Sequence, residues 1–161
     1  MKLKCNVIPA SECTTGWKKI NQEENGVAWG ARNSDDGKDS NGKWGVSSRT
    51  CGTKLMLVAV SGGVTCYPGY PLSNFGCSTT LRVYVTNGKG YEYTIAPKGL
   101  TGNYRLAGYN AASPFVEFPL ENYCFETGTE YNLWYTEDML DSSEGDNAGT
   151  AYTDIYICPS A

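Results

Sequence analysis

A chain of 161 residues is long enough for one domain with a substantial core and too short for two ordinary ones, so residues 1–161 are read as a single domain. Its 17 acidic and 13 basic side chains give a formal charge of −4, and without any basic run this balance argues against nucleic acid or an anionic membrane as partner. No stretch approaches the roughly 20 apolar residues that cross a bilayer, and the start MKLKCNVIPA lacks the apolar core of a signal peptide; the expectation is a soluble protein without membrane insertion, read as a mature form with an added Met1.

The 19 glycines, 12 tyrosines and many Thr, Val and Ser residues point to short strands joined by tight turns, an all-β class. Through about Thr50 the chain reads as short strands and loops. The stretch NGVAWGARNSDDGKDSNGKWG is saturated with turn formers. Its Asp35, Asp36 and Asp39 suggest a calcium loop, but Gly37 stands where an EF-hand needs a ligand and the terminal Glu is missing. A solvated turn is expected there.

Residues 54–60, KLMLVAV, form a continuous apolar run ended by Ser61-Gly62-Gly63, which fits a strand buried on both faces. Next comes CYPGYPLSNFGC, residues 66–77, a turn-rich loop with a cysteine at each end that a local disulfide could tie. TTLRVYVTNGKGYEYTIA then sets two alternating segments around Asn87-Gly88, a strong hairpin signal. Leu81, Val83 and Val85 are expected to face the core, with Arg82 and Tyr84 outward. Residues 131–136 and 152–158 complete the strands.

Seven cysteines, at 5, 13, 51, 66, 77, 124 and 158, are scattered rather than grouped in CxxC pairs, and the chain has no histidine. Zinc is therefore disfavoured and disulfides preferred. Three intramolecular bonds are expected, leaving one thiol free or joined to another chain, and the implied compartment is oxidising: secreted or extracellular. A cytosolic protein with free buried thiols is the alternative. No N-x-S/T sequon is present.

The most distinctive segment is 137–147, EDMLDSSEGDN. It holds Glu137, Asp138, Asp141, Glu144 and Asp146 with no Lys or Arg among them; without these five, 12 acids face 13 bases. Crowded like charges destabilise the compact state unless a cation or hydrogen-bond donors offset them. Ca²⁺ does so with six to eight oxygen ligands from carboxylates, amides and backbone carbonyls, all of which the segment offers. Gly145 permits the turn that returns Asp146 and Asn147 towards Asp138, between two flanking strands. The plainer alternative is an acidic solvated loop.

Tyr135-x-x-Asp138, then Ser143-Glu144-Gly145-Asp146-Asn147-x-Gly149-Thr150 and a closing strand, resembles the calcium site of the LecA-type galactose-binding lectins, small β-sandwich proteins known from bacteria. KLMLVAVSGGVTCYPG, TLRVYVTNGKGYEYTI and ETGTEYNLWYTED are similar to the family's preceding strands, so the resemblance covers about residues 53–157. It implies an antiparallel, jelly-roll-like β-sandwich, here stabilised by disulfides, in which two sugar hydroxyls complete the calcium shell. Carried across, it implies side-chain ligands from Asp138, Asp146 and Asn147 and backbone carbonyls from Tyr67 and Ser143. Because the loop is one residue longer than the family's, Ser142 is the alternative to Ser143. The family holds the exocyclic hydroxyl of galactose with a histidine and a glutamine; this chain has no histidine.

In place of that contact, loop 66–77 presents Tyr67, Tyr70 and Phe75, whose rings could pack on the apolar face of a sugar or instead plug the end of the sandwich. The expected function is calcium-dependent carbohydrate binding, with glycans, galactose-type ones among them, as partners, and with Tyr67, Tyr70, Asp138, Asp146 and Asn147 touching the ligand. A homo-oligomer is compatible with it. The alternative is a structural or adhesive extracellular sandwich whose calcium only rigidifies the acidic loop. No enzyme is expected: without histidine neither Ser-His-Asp nor Cys-His catalysis can be built, and no phosphate loop is present. A carboxylate glycosidase ranks third, because nothing apolar beside the clustered acids would raise one pKa selectively.

Overall fold

A computed structural model describes residues 10–31, 39–141 and 146–161. In chain order the strands are β1 (Lys18–Lys19), β2 (Val27–Gly30), β3 (Gly42–Trp44), β4 (Thr50–Thr65), β5 (Gly76–Cys77), β6 (Thr80–Leu81), β7 (Val83–Thr86), β8 (Thr94–Ala96), β9 (Phe115–Phe125), β10 (Tyr131–Tyr135) and β11 (Ala148–Pro159). One short helix, α1 (Thr136–Leu140), follows β10. Among the described residues every pairing between strands is antiparallel. One sheet runs β1-β11-β4-β9, with β2 also on β11; a second runs β3-β10-β7-β8; β5 and β6 pair with each other. The all-β class expected from composition, the disulfides expected from the scattered cysteines and the antiparallel sandwich implied by the resemblance are observed.

Leu55, Leu57, Val83, Val85, Leu133 and Ile155, inward residues of the two sheets, are all fully buried in one hydrophobic cluster. Burial of each contributes about 1.5–3 kcal/mol, which offsets the roughly 1–2 kcal/mol of backbone entropy lost at that position. Trp29 on β2 bridges the layers. Its ring lies 6.4 Å from that of Tyr135 on β10, and its indole N–H donates to Thr153 Oγ1 on β11 at 2.9 Å.

The apolar run 54–60 is a strand, yet Ser61-Gly62-Gly63 does not end it: β4 continues to Thr65. The glycines serve a bulge instead. The register jumps between Tyr152↔Ser61 and Thr153↔Ala59, which leaves Val60 unpaired and 45% exposed. Gly62 takes φ +70°, and a Cβ there would sit 2.2 Å from the Thr150 carbonyl oxygen, so only glycine lets β11 stay paired past the kink.

The hairpin β7–β8 forms as expected, with Val85 opposite Ala96 and Thr86 opposite Thr94. Asn87-Gly88 opens a longer connection, which includes a 3₁₀ turn at Tyr91–Tyr93, rather than a two-residue turn. Tyr84 corrects the reading of the outer face. It is fully buried, because Tyr91 and Tyr104 pack edge-on against its ring at 5.3 Å and its hydroxyl donates to the Gly102 carbonyl at 2.6 Å. Alternation correctly separates the two sides of the strand; it carries no information about a loop laid over the second side.

Three disulfides close the structure, Cys13–Cys158, Cys51–Cys124 and Cys66–Cys77, the last being the loop tie anticipated from spacing. Cys5 lies outside the described residues, as do Asp35 and Asp36, while Asp39 forms an ion pair with Lys89 at 3.0 Å. Among the described residues no helix is long and apolar enough to cross a membrane.

Candidate functional site

The acidic segment connects the two sheets. β10 belongs to the four-stranded sheet and β11 to the five-stranded one, and between them the chain makes one turn of helix before crossing. Glu137 and Asp138 occupy the first turn of α1, where carboxylates favour the exposed N–H groups. The buried Met139 packs the helix onto the core, and Asp141 ends it at φ +53°, a left-handed position that Asp tolerates better than most residues.

The same end of the sandwich receives the end of β4 and the loop after it. Ala148 is paired with Thr65, so Asn147 stands beside the strand end from which Cys66 and Tyr67 lead away. Two backbone hydrogen bonds between Val64 and Ser73, both 2.8 Å, fold the loop back along β4, and Cys66–Cys77 ties it.

Asp138 is fully buried, and its Oδ2 accepts the Ser40 N–H at 2.9 Å. Asn147 is 1% exposed; its Nδ2 donates to the Ala31 carbonyl at 2.7 Å, while its Oδ1 meets no hydrogen-bond donor among the described residues. The two are linked through the N-terminal third of the chain, because Ser40 accepts from the Gly30 N–H at 2.7 Å and Gly30 is followed by Ala31. Asp146 is exposed. Its charge acts on Tyr135, whose hydroxyl donates to the Gly76 carbonyl at 3.2 Å and is pushed well above the ordinary tyrosine range, chiefly by burial. Ser142 and Ser143, the two candidate carbonyl donors, and Glu144 lie outside the described residues.

Charge in this segment is partly met by cations that sequence reasoning missed, since they arrive from the β6–β8 region. Arg82 forms a half-buried ion pair with Glu137. Lys89 bonds Asp141 at 2.8 Å, and that carboxylate holds its ammonium above the ordinary lysine range. The only sequence signal for either was an unmatched basic residue in the hairpin. Among the described residues no three His, Cys, Asp or Glu side chains stand together as a metal cluster.

In loop 66–77 the aromatic residues divide. Tyr67 and Tyr70 are 52% and 46% exposed and meet edge to face at 5.6 Å, forming a small open aromatic corner. Phe75 is fully buried and plugs the core, so it offers no surface to a ligand. The Tyr67 carbonyl accepts from Thr65 Oγ1 and from the Tyr70 N–H, both at 3.0 Å; a cation at this oxygen would compete with both bonds.

No family model and no curated protein matches the sequence. The fold is similar to that of AJLec, a lectin from the sea anemone Anthopleura japonica, with a TM-score of 0.73 over 90% of this chain and 98% of that one. Sequence identity between them is 23%, so the likeness concerns the fold.

Proposed function

We propose that this chain is a secreted calcium-dependent carbohydrate-binding protein whose ligand is held by segment 137–147 with help from loop 66–77. The observation that carries this reading is the Asn147 side chain. A buried oxygen without a donor costs about 1–3 kcal/mol, and the buried carboxylate of Asp138 lies one short backbone path away. A hard cation would satisfy the Asn147 oxygen, with the Asp138 carboxylate supplying the charge. Asp138 and Asn147 would hold it from within and Asp146 from the solvent side, with a carbonyl from Ser143 or Ser142; the ion would supply open positions for two vicinal hydroxyls of a glycan, galactose-type sugars included.

Tyr67 and Tyr70 would then meet the apolar face of the sugar, on a loop whose disulfide limits the entropy lost on binding. The lectin name of the structural neighbour supports the ligand class. Three disulfides fit an oxidising compartment.

A second reading, an extracellular structural sandwich whose acidic loop is held mainly by the protein's own cations, is favoured by the Arg82–Glu137 and Lys89–Asp141 pairs. A glycan array run in calcium and then in EDTA separates the two. Glycans whose retention falls on chelation support the first; an array on which no glycan responds to chelation supports the second.

The aromatic contact is tested separately. Tyr70→Ala should weaken glycan binding by about 1 kcal/mol, roughly fivefold, while the calcium-induced rise in melting temperature stays intact. If titration calorimetry shows unchanged glycan affinity, the tyrosine corner is not part of the site.

A further inference from the structure

The outer face of the four-stranded sheet carries a groove of about 810 Å³, within the range of ordinary small-molecule sites of about 300–1,000 Å³. It arises because the segment following β7 covers only part of that face. Tyr84 and Thr86 lie beneath the cover, fully buried, whereas the next outward positions, Asn132 on β10, still 6% exposed, and its exposed cross-strand partner Lys43 on β3, line an open trough. Asn41 and Asn87 form its rims, and Asn41 Nδ2 donates to Asn132 Oδ1 at 2.6 Å, which fixes both amides.

The chemistry of this lining selects its occupant. Charge is balanced, with Lys43 and Lys89 against Asp39 and Glu130, and Lys89 is already bonded to Asp39, so neither a polyanion nor a polycation is favoured. Three asparagine amides line it, Asn87 exposed and Asn41 and Asn132 bonded to each other, and an amide offers donor and acceptor together, the pattern that vicinal hydroxyls also present. Trp134 forms part of the wall but is 2% exposed and spends its indole N–H on the Gly88 carbonyl, so no aromatic platform captures a single ring. Affinity must come from several shallow polar contacts along the trough, which suits a chain of sugars better than one.

We propose that this groove is a second, metal-independent binding site for an extended neutral oligosaccharide. It takes from the proposed function only the ligand class, and it uses none of the residues assigned to calcium.

The test is an array of neutral and sialylated oligosaccharides, probed in EDTA with the intact protein, with Asp146→Ala and with Lys43→Ala/Asn87→Ala, both of whose altered side chains are exposed. Neutral tetrasaccharides should be retained in EDTA by the wild type and equally by Asp146→Ala, and retention should fall about tenfold in the Lys43→Ala/Asn87→Ala variant, as expected from losing two polar contacts. An EDTA-treated array that is blank, a residual signal indifferent to the double variant, or equal retention of sialylated glycans overturns the proposal. The loop site fails on different grounds, through binding that does not respond to calcium, so the two failures are read separately.

Discussion

Asp138→Asn should abolish the stabilisation conferred by calcium while leaving the calcium-free protein about as stable as before. The substitution keeps the shape of the side chain and an oxygen for the Ser40 N–H, so the local hydrogen bond survives. What it removes is a negative charge from a fully buried position. In the wild type, calcium at about one hundred times its dissociation constant should add about 2.7 kcal/mol through linkage, or about 5–10 °C in melting temperature for a chain of this size. In the variant the calcium and EDTA melting curves should superimpose, and glycan retention should drop to that of the chelated wild type. A wild type that melts at one temperature with millimolar calcium and with EDTA would remove the cation from the site altogether. A variant that keeps the full calcium response would move it away from Asp138.

The second large effect concerns the disulfides, whose loss should destabilise the protein in the order of the chain lengths they close. Cys13–Cys158, Cys51–Cys124 and Cys66–Cys77 join residues 145, 73 and 11 apart. Restriction of the unfolded chain alone gives about 5, 4 and 3 kcal/mol respectively. Paired serine variants followed by thermal melting should therefore rank Cys13→Ser/Cys158→Ser as the least stable. The smallest ring should have the opposite functional weight: Cys66→Ser/Cys77→Ser loosens the loop that carries Tyr67 and Tyr70 and should weaken glycan binding more than either of the others. If the melting temperatures rank in reverse, native contacts around each bond, such as the 2.7 Å hydrogen bond from Thr15 Oγ1 to the Pro159 carbonyl, outweigh the chain-entropy term.

The features legible in the sequence were those written in local pattern. Alternation around Leu81, Val83 and Val85 identified the core face of β7, the apolar run 54–60 identified the centre of β4, and two cysteines bracketing a turn-rich dozen residues identified the loop tie. The features that stayed hidden depend on segments far apart in the chain. Arg82 reaches Glu137 and Lys89 reaches Asp141 only after the hairpin has docked against β10, and Ser40 reaches Asp138 only after the N-terminal third has folded across the sheets. The five-residue α1 is too short to show a helical period, and its direct continuation from β10 made it read as loop. The backbone path that joins Asp138 to Asn147 through Ser40 and Ala31 was not anticipated, because neither residue type signals such a role.

β11 is the hub of the larger sheet, hydrogen-bonded to β4 along one edge and to β1 and β2 along the other. It is also the last of the described strands in chain order. Until it docks, β1 and β2 have no strand to pair with, and β4 is paired along one edge only, with β9. The larger sheet is completed only when residues 148–159 dock, and the contacts then formed span most of the described chain, Lys18 opposite Ile157 among them. Such long-range pairing folds slowly, in milliseconds to seconds rather than microseconds. Recombinant yield should therefore depend more on conditions during folding than on the stability of the finished sandwich.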